Sequence, residues 1–297
     1  MLQEQFTIGI ESPENKRDKQ MKKVTIQTLQ EMKEKGEKIT SLTAYDYSTA
    51  KYLDEAGIDF MLVGDSLGMV ILGYDSTCKV TMNDMKVFTS AVARGTKRAL
   101  VVADLPFMSY HADVAEGVRN AGDLIRCGAG AVKLEGATEH ILQVIERCTE
   151  SGIPVMAHLG FTPQSLNTIG GYKVQGKSYD ATVKLLKQAK KVQEAGAFAL
   201  VLEMIPEESA KYISEHLDIP TIGIGAGKYC SGQILVSDDV FGKYCDLSPK
   251  FVRKYGDMSL LIRNCTSDYI KDVKSGNFPS KEESFNLEEN EAEKLCC

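Results

Sequence analysis

Residues 100–136 read LVVADLPFMSYHADVAEGVRNAGDLIRCGAGAVKLEG, and their pattern decides the fold. The opening run, LVVADLP, is apolar until it reaches an aspartate and a proline. Apolar residues then recur at Val114, Val118, Ala121 and Ile125, the 3.6-residue spacing of a helix packed on a sheet. A glycine-bearing turn, RCGAGA, leads into a second apolar run, AVKLEG. Strands that are apolar at nearly every position belong to parallel sheets covered on both faces. The stretch therefore predicts one strand, helix, strand unit.

The unit recurs on both sides. Before it stand ITSLTAYD (39–46) and DFMLVGDS (59–66); after it come PVMAHLG (154–160), FALVLE (198–203), PTIGIGA (220–226) and ILVSDD (234–239). Eight strands in regular strand–helix alternation, joined by right-handed crossovers, close more readily into a (β/α)8 TIM barrel than into an open doubly wound sheet. Segment 161–179, between the fifth strand and its helix, is too long for an ordinary βα loop, and loops of that length serve as lids or binding loops. An amphipathic stretch at 24–37, with Val24, Ile26, Leu29 and Met32 apolar and Gly36 near its end, predicts a short leading strand or helix. The barrel domain is expected over 21–275. Residues 1–20 and 276–297 are too poor in apolar groups to order themselves and are read as polar tails.

At 297 residues the chain fits a single α/β barrel domain. Its net charge of −6 offers no basic footprint for nucleic acid, so a small-molecule ligand fits better. Eight cysteines, at 78, 127, 148, 230, 245, 265, 296 and 297, form no CxxC pair, which argues against a zinc framework or disulfide scaffold and for a reducing compartment. No apolar run approaches the ~20 residues that span a bilayer, so no membrane is expected. The acidic residues of the first twenty positions do not resemble a mitochondrial transit peptide, and a cytoplasmic location is expected. Cys296-Cys297 lacks the four-residue prenylation box and reads as two exposed thiols.

Function lies in where the polar residues fall. The strands end, in order, on Asp46, Asp65 with Ser66, Asp104, Lys133 with Glu135, His158, Glu203, the GIGAG turn at 223–227, and Asp238 with Asp239. A parallel barrel gathers all these ends on one face. A lone carboxylate at a strand end is most often a helix cap, but several with a Lys and a His exceed what capping needs. Converging carboxylates repel unless a cation lies among them, and an all-oxygen set suits Mg2+. Asp65 and Asp104 are the expected direct ligands, with Glu135 binding directly or through water. A 2-oxo acid can chelate such an ion, which then stabilises the enolate formed when a neighbouring C–H is deprotonated. Lys133 adds positive charge beside the same oxygens. Glu203, in the apolar run FALVLEMI, suits a general base, although it could instead cap the next helix. His158 is expected only to bind substrate or the metal shell. The GIGAG run is not GxGxxG, and its small residues can equally relieve crowding.

The strings TAYDYSTAK, MLVGDSLGM, ADLPFMSY, VKLEG, HLGFTPQS, GGYKVQGK and IGIGAG resemble the ketopantoate hydroxymethyltransferase family, from about residue 22 to 280. The resemblance implies a barrel of the phosphoenolpyruvate/pyruvate type with one Mg2+ per subunit. It implies transfer of a hydroxymethyl group from the co-substrate 5,10-methylenetetrahydrofolate to 3-methyl-2-oxobutanoate, giving 2-dehydropantoate for pantothenate and coenzyme A synthesis. By motif, Asp65, Asp104 and Glu135 stand where the family binds metal, Ser66 and Lys133 where it holds the oxo acid, and Glu203 where it accepts the proton. The family also forms ring-like homo-oligomers, commonly decamers. Two departures are Ser231-Gly232-Gln233, where relatives often show DGQ, and Asp238-Asp239, where they show an HD pair; both put the folate or lid contacts in doubt, not the reaction. The rival is an isocitrate-lyase-like or phosphoenolpyruvate-mutase-like enzyme of the same superfamily, whose catalytic cysteine loop is not apparent here.

Overall fold

The computed structural model describes residues 22–246, 249–288 and 291. The tail expected at 1–20 and the pair Cys296-Cys297 lie outside them. The chain opens with helix α1 (Ile26–Lys35), strand β1 (Ile39–Thr43), α2 (Tyr47–Glu55) and β2 (Phe60–Val63). A short α3 (Leu67–Val70) precedes α4 (Met82–Gly95), β3 (Leu100–Asp104), α5 (Val114–Arg126) and β4 (Ala131–Glu135). Then come α6 (Glu139–Glu150), β5 (Val155–Gly160), the short α7 (Leu166–Ile169), α8 (Tyr179–Glu194) and β6 (Ala199–Glu203). The last elements are α9 (Glu207–Glu215), β7 (Thr221–Ile224), β8 (Gly232–Leu235), the short α10 (Ser237–Val240) and α11 (Met258–Ser275). The eight strands pair in parallel in chain order, and β8 returns to β1 to close the barrel.

Two apolar layers hold it. Inside the barrel, Ile39, Phe60, Leu100, Ala131, Ala199 and Ile222 pack together near the strand starts, with Leu29 of α1 fully buried among them. The leading amphipathic stretch is thus a helix that seals the lower end, its first turn closed by a Thr25–Thr28 capping box. Outside the barrel, the alternate strand residues pack against α2, α4, α5, α6, α8 and α9.

Strand–helix alternation fails once, between β7 and β8. Only residues 225–231 join them, with no helix, because GAGKYCS offers neither the length nor the apolar spacing of one. The eighth strand is also shorter than its apolar run: it ends at Leu235, and Asp238 and Asp239 sit on α10. The long segment after β5 is partly ordered into a 3-10 turn at Pro163–Ser165 and α7. It is tied down where Gln175 N donates to Met204 O and where the Phe161 and Tyr172 rings meet at 5.3 Å. Finally, α11 buries none of its residues.

Candidate active site at the barrel mouth

Strand alternation builds the site. In β3, Leu100 and Val102 face the barrel interior and Asp104 continues that face; in β4, Ala131 is followed by Lys133 and Glu135. In β5, Met156 leads to His158, and in β6, Ala199 and Val201 lead to Glu203. The intervening Val101, Val132, Leu134, Ala157 and Leu202 belong to the outer layer. The interior therefore changes from apolar to charged toward the carboxyl ends. Register pairs Asp104 with Lys133 and Glu135 with His158 on neighbouring strands. Asp65 lies just beyond β2, after Gly64, where a Cβ would come within 2.8 Å of Ser66 Oγ.

These residues form one connected set. Lys133 Nζ donates to Asp104 Oδ1 at 2.6 Å, and Asp65 N donates to Asp104 Oδ2 at 3.1 Å. Gln164 Nε2 donates to Asp65 Oδ2 at 2.8 Å, while Gln164 N donates to Glu135 Oε2 at 3.1 Å. His158 stands between two carboxylates, its Nδ1 3.5 Å from Glu135 and its Nε2 3.3 Å from Glu203. Both ring nitrogens are buried and each stands within ion-pair distance of one carboxylate. Ser66 Oγ lies 2.8 Å from Tyr45 OH. Glu203 is the most accessible of the charged groups, its side chain 15% exposed against 3% for Glu135 and Asp104.

Burial sets the electrostatics. It pushes Asp65 well above the usual carboxylate range, and Asp104 and Glu135 push it further. Burial raises Asp104 as well, against the opposing pull of Lys133. For Glu135 burial acts upward too, but His158, Lys133 and the Gln164 amide outweigh it and hold the group below its ordinary value. Burial would discharge Lys133 and His158, yet the surrounding carboxylates overcome it in both; Lys133 is raised and His158 is held at about 9. Three buried carboxylates thus face two cations, and the excess negative charge weighs on Asp65.

The described residues hold no ready cage of three or more His, Cys, Asp or Glu ligands. Mg2+ does not ask for one, since it keeps several waters and takes only one or two carboxylates beside its substrate oxygens. The all-oxygen donors and the surplus charge at Asp65 and Asp104 fit that ion.

A profile of the family described as ketopantoate hydroxymethyltransferase matches residues 23–281. A Clostridium novyi protein named 3-methyl-2-oxobutanoate hydroxymethyltransferase is 54% identical over 258 residues, covering 86% of this chain and 94% of that protein. One of the same name from Caldicellulosiruptor saccharolyticus is 55% identical over 247 residues, covering 83% and 93%. The chain belongs to the ketopantoate hydroxymethyltransferase family. It is accordingly a transferase. Among solved structures, phosphonopyruvate hydrolase complexed with oxalate and Mg2+ shares the fold at TM-score 0.58 and 14% identity, over 88% of this chain and 93% of that one. 2,3-Dimethylmalate lyase, of the phosphoenolpyruvate mutase/isocitrate lyase superfamily, aligns at TM-score 0.55 and 16% identity, over 91% and 97%. At such identities these two speak for the barrel alone.

Within this hydroxymethyltransferase barrel, several polar strand ends fall outside the connected set. Asp46 caps α2, accepting from Thr49 N at 2.9 Å. Asp238 and Asp239 are buried on α10, with Lys243 3.0 Å from Asp238. Glu203 does not cap α9, whose cap position is Pro206. The GIGAG glycines relieve crowding: Gly225 and Gly227 take positive φ, and a Cβ on them would meet Phe251 at 2.7 Å and Glu207 at 2.5 Å. Three site residues had no role in the sequence reading: Tyr45, Tyr110 and Gln164. Their motifs, TAYD, ADLPFMSY and HLGFTPQS, carry the family resemblance. Each reaches the site from a loop, where neither strand period nor charge marks it.

Proposed function

We propose that this chain transfers a hydroxymethyl group from 5,10-methylenetetrahydrofolate to 3-methyl-2-oxobutanoate, giving 2-dehydropantoate in the first committed step of pantothenate synthesis. The observation that carries the reading is the set of polar contacts that branches from Asp65, one arm running through Asp104 to Lys133 and the other through Gln164 to Glu135, His158 and the accessible Glu203. Asp65 and Asp104 would hold Mg2+, with Glu135 directly or through water, and the ion supplies Lewis-acid polarisation of the oxo acid when bound. Ser66 donates from the start of α3 to the oxo-acid oxygens. Lys133, already paired with Asp104, contributes fixed positive charge rather than a proton. Glu203 takes the proton from C3, and that carbon bonds the methylene carbon of the folate. The bonds from that methylene carbon to the folate nitrogens break to release tetrahydrofolate, and water supplies the new hydroxyl oxygen. His158 bonds substrate at the mouth and, through its charge, fixes the neighbouring Glu203 carboxylate.

The same proposal places the enzyme in the cytoplasm as a homo-oligomer, a decamer by family resemblance. Support for assembly comes from α11, which leaves Leu260, Leu261, Ile262, Tyr269, Ile270 and Val273 exposed. An 18-residue helix with so much apolar surface is suited to bury it against another copy. Activity is tested by a coupled assay that follows tetrahydrofolate and ketopantoate together, with Mg2+ and with chelator. Equal formation of both products, abolished by chelator, is expected; formation of neither, or indifference to chelator, contradicts the proposal.

A further inference from the structure

Gln164 plays no part in the chemistry above, yet it is 6% exposed and sits between two of the carboxylates that chemistry needs. Its side-chain Nε2 donates to Asp65 Oδ2 at 2.8 Å and to Leu105 O at 3.0 Å. Its main-chain N donates to Glu135 Oε2 at 3.1 Å. Its Oε1 accepts from Tyr110 OH at 2.8 Å, and the same phenol oxygen accepts from Glu135 N at 3.0 Å. We propose that Gln164 is a positioning residue for the cation site, setting Asp65 and Glu135 at the separation and orientation the ion requires. The proposal rests on the Mg2+ reading above.

The direction of every bond in this ring is determined. Leu105 O can only accept, so the Gln164 NH2 group must face it and Asp65. Glu135 N can only donate, so the Tyr110 hydroxyl spends its own proton on Gln164 Oε1. The amide therefore cannot flip without losing several bonds in a buried setting, where each unmade bond costs about 1–3 kcal/mol. Asp65 follows β2 and Glu135 ends β4, and one residue grips both, by side chain and by main chain. A shift of Gln164 moves both carboxylates together. A neutral amide is also the suitable donor, since it holds Asp65 without bringing a positive charge that would compete with the ion. In this way the 3-10 turn at Pro163–Ser165, the root of the long segment after β5, becomes part of the cation site.

The test is Mn2+ binding to the full chain, read from the electron paramagnetic resonance signal of the free ion, for wild type, Gln164→Met, Tyr110→Phe and the double variant. Loss of an outer-shell partner lowers metal affinity about 10–100-fold. Gln164→Met is expected to fall in that range and Tyr110→Phe to weaken binding in the same direction. The double variant should lose less than the sum of the two single losses, because Tyr110 acts in part through Gln164 and only in part through its own bond from Glu135 N. Saturating Mn2+ should restore C3 exchange of the oxo acid in Gln164→Met to near the wild-type rate, a rescue that general damage to the fold would not allow. Should Gln164→Met fail to fold, Tyr110→Phe, which keeps Gln164, decides alone. Wild-type Mn2+ affinity in the folded variants overturns the inference. No binding by wild type, or unaltered binding by Asp65→Asn, instead removes the Mg2+ reading beneath it.

Discussion

Lys133 and Asp104 make the shortest polar contact of the connected set, a 2.6 Å pair with side chains 5% and 3% exposed. Removing one partner of a buried pair strands the other, at a cost of about 3–5 kcal/mol. Lys133→Met is expected to lose that much stability in urea unfolding with chelator present; a loss below about 1 kcal/mol would show that the pair does not hold the barrel mouth. Asp239 gives a pH signature away from the site. Burial first, and Asp238 next, lift it to about 6 against the pull of Lys254. Its unfolded value is about 3.9, so between those values the folded chain binds more protons, and stability falls as pH rises from about 4 to about 6. Asp239→Asn is expected to flatten that fall in a series of melts; an unchanged slope would show that Asp239 does not titrate there. Asp104, Lys133, Glu135, His158 and Glu203 were legible in the sequence because each continues an interior-facing, period-two row. Gln164 and Tyr110 were not, because a loop residue's partners are chosen only once the barrel has closed.

At the scale of elements, the apolar runs mark all eight strands, and the register then brings the charged ends together. At the last strand the run leads into a helix, since Val236 and Ser237 continue the pattern of β8 while the backbone turns into α10. The missing helix between β7 and β8 leaves a short crossover, and β8 closes against β1 with little room to spare. A Cβ at Gly232 would lie 2.5 Å from Ile39 O, a backbone atom that cannot yield without opening the closing pair. Gly232→Ala is therefore expected to destabilise by more than the ~1–3 kcal/mol of ordinary overpacking, measured by denaturant unfolding. A loss of a few tenths of a kcal/mol would mean that β1 and β8 close more loosely than described. The segment after β5 was expected as a lid or binding loop from its length alone; its start is built into the buried carboxylate network, and the part beyond it is exposed at Tyr172 and Val174.

For the molecule as a whole, α11 stands out because it buries none of its residues and shows solvent an apolar face. From the sequence that stretch is placed in the barrel domain without being marked, and amphipathic spacing would not say which molecule covers the face. Leu261→Asp with Ile270→Asp is expected to lower the mass seen by sedimentation equilibrium, while the far-ultraviolet circular dichroism of the barrel persists. An unchanged mass would show that α11 does not carry the assembly. The proposed reaction depends on Glu203 removing the C3 proton from an oxo acid held by the carboxylate cluster. Its most direct test is proton–deuterium exchange at C3 of 3-methyl-2-oxobutanoate, followed by nuclear magnetic resonance with Mg2+ and without folate, for wild type and Glu203→Gln. Exchange by wild type, slowed about 10²–10⁴-fold in Glu203→Gln while Mg2+ binding persists, is the expected result. Full exchange in the variant, or none in the wild type, contradicts it.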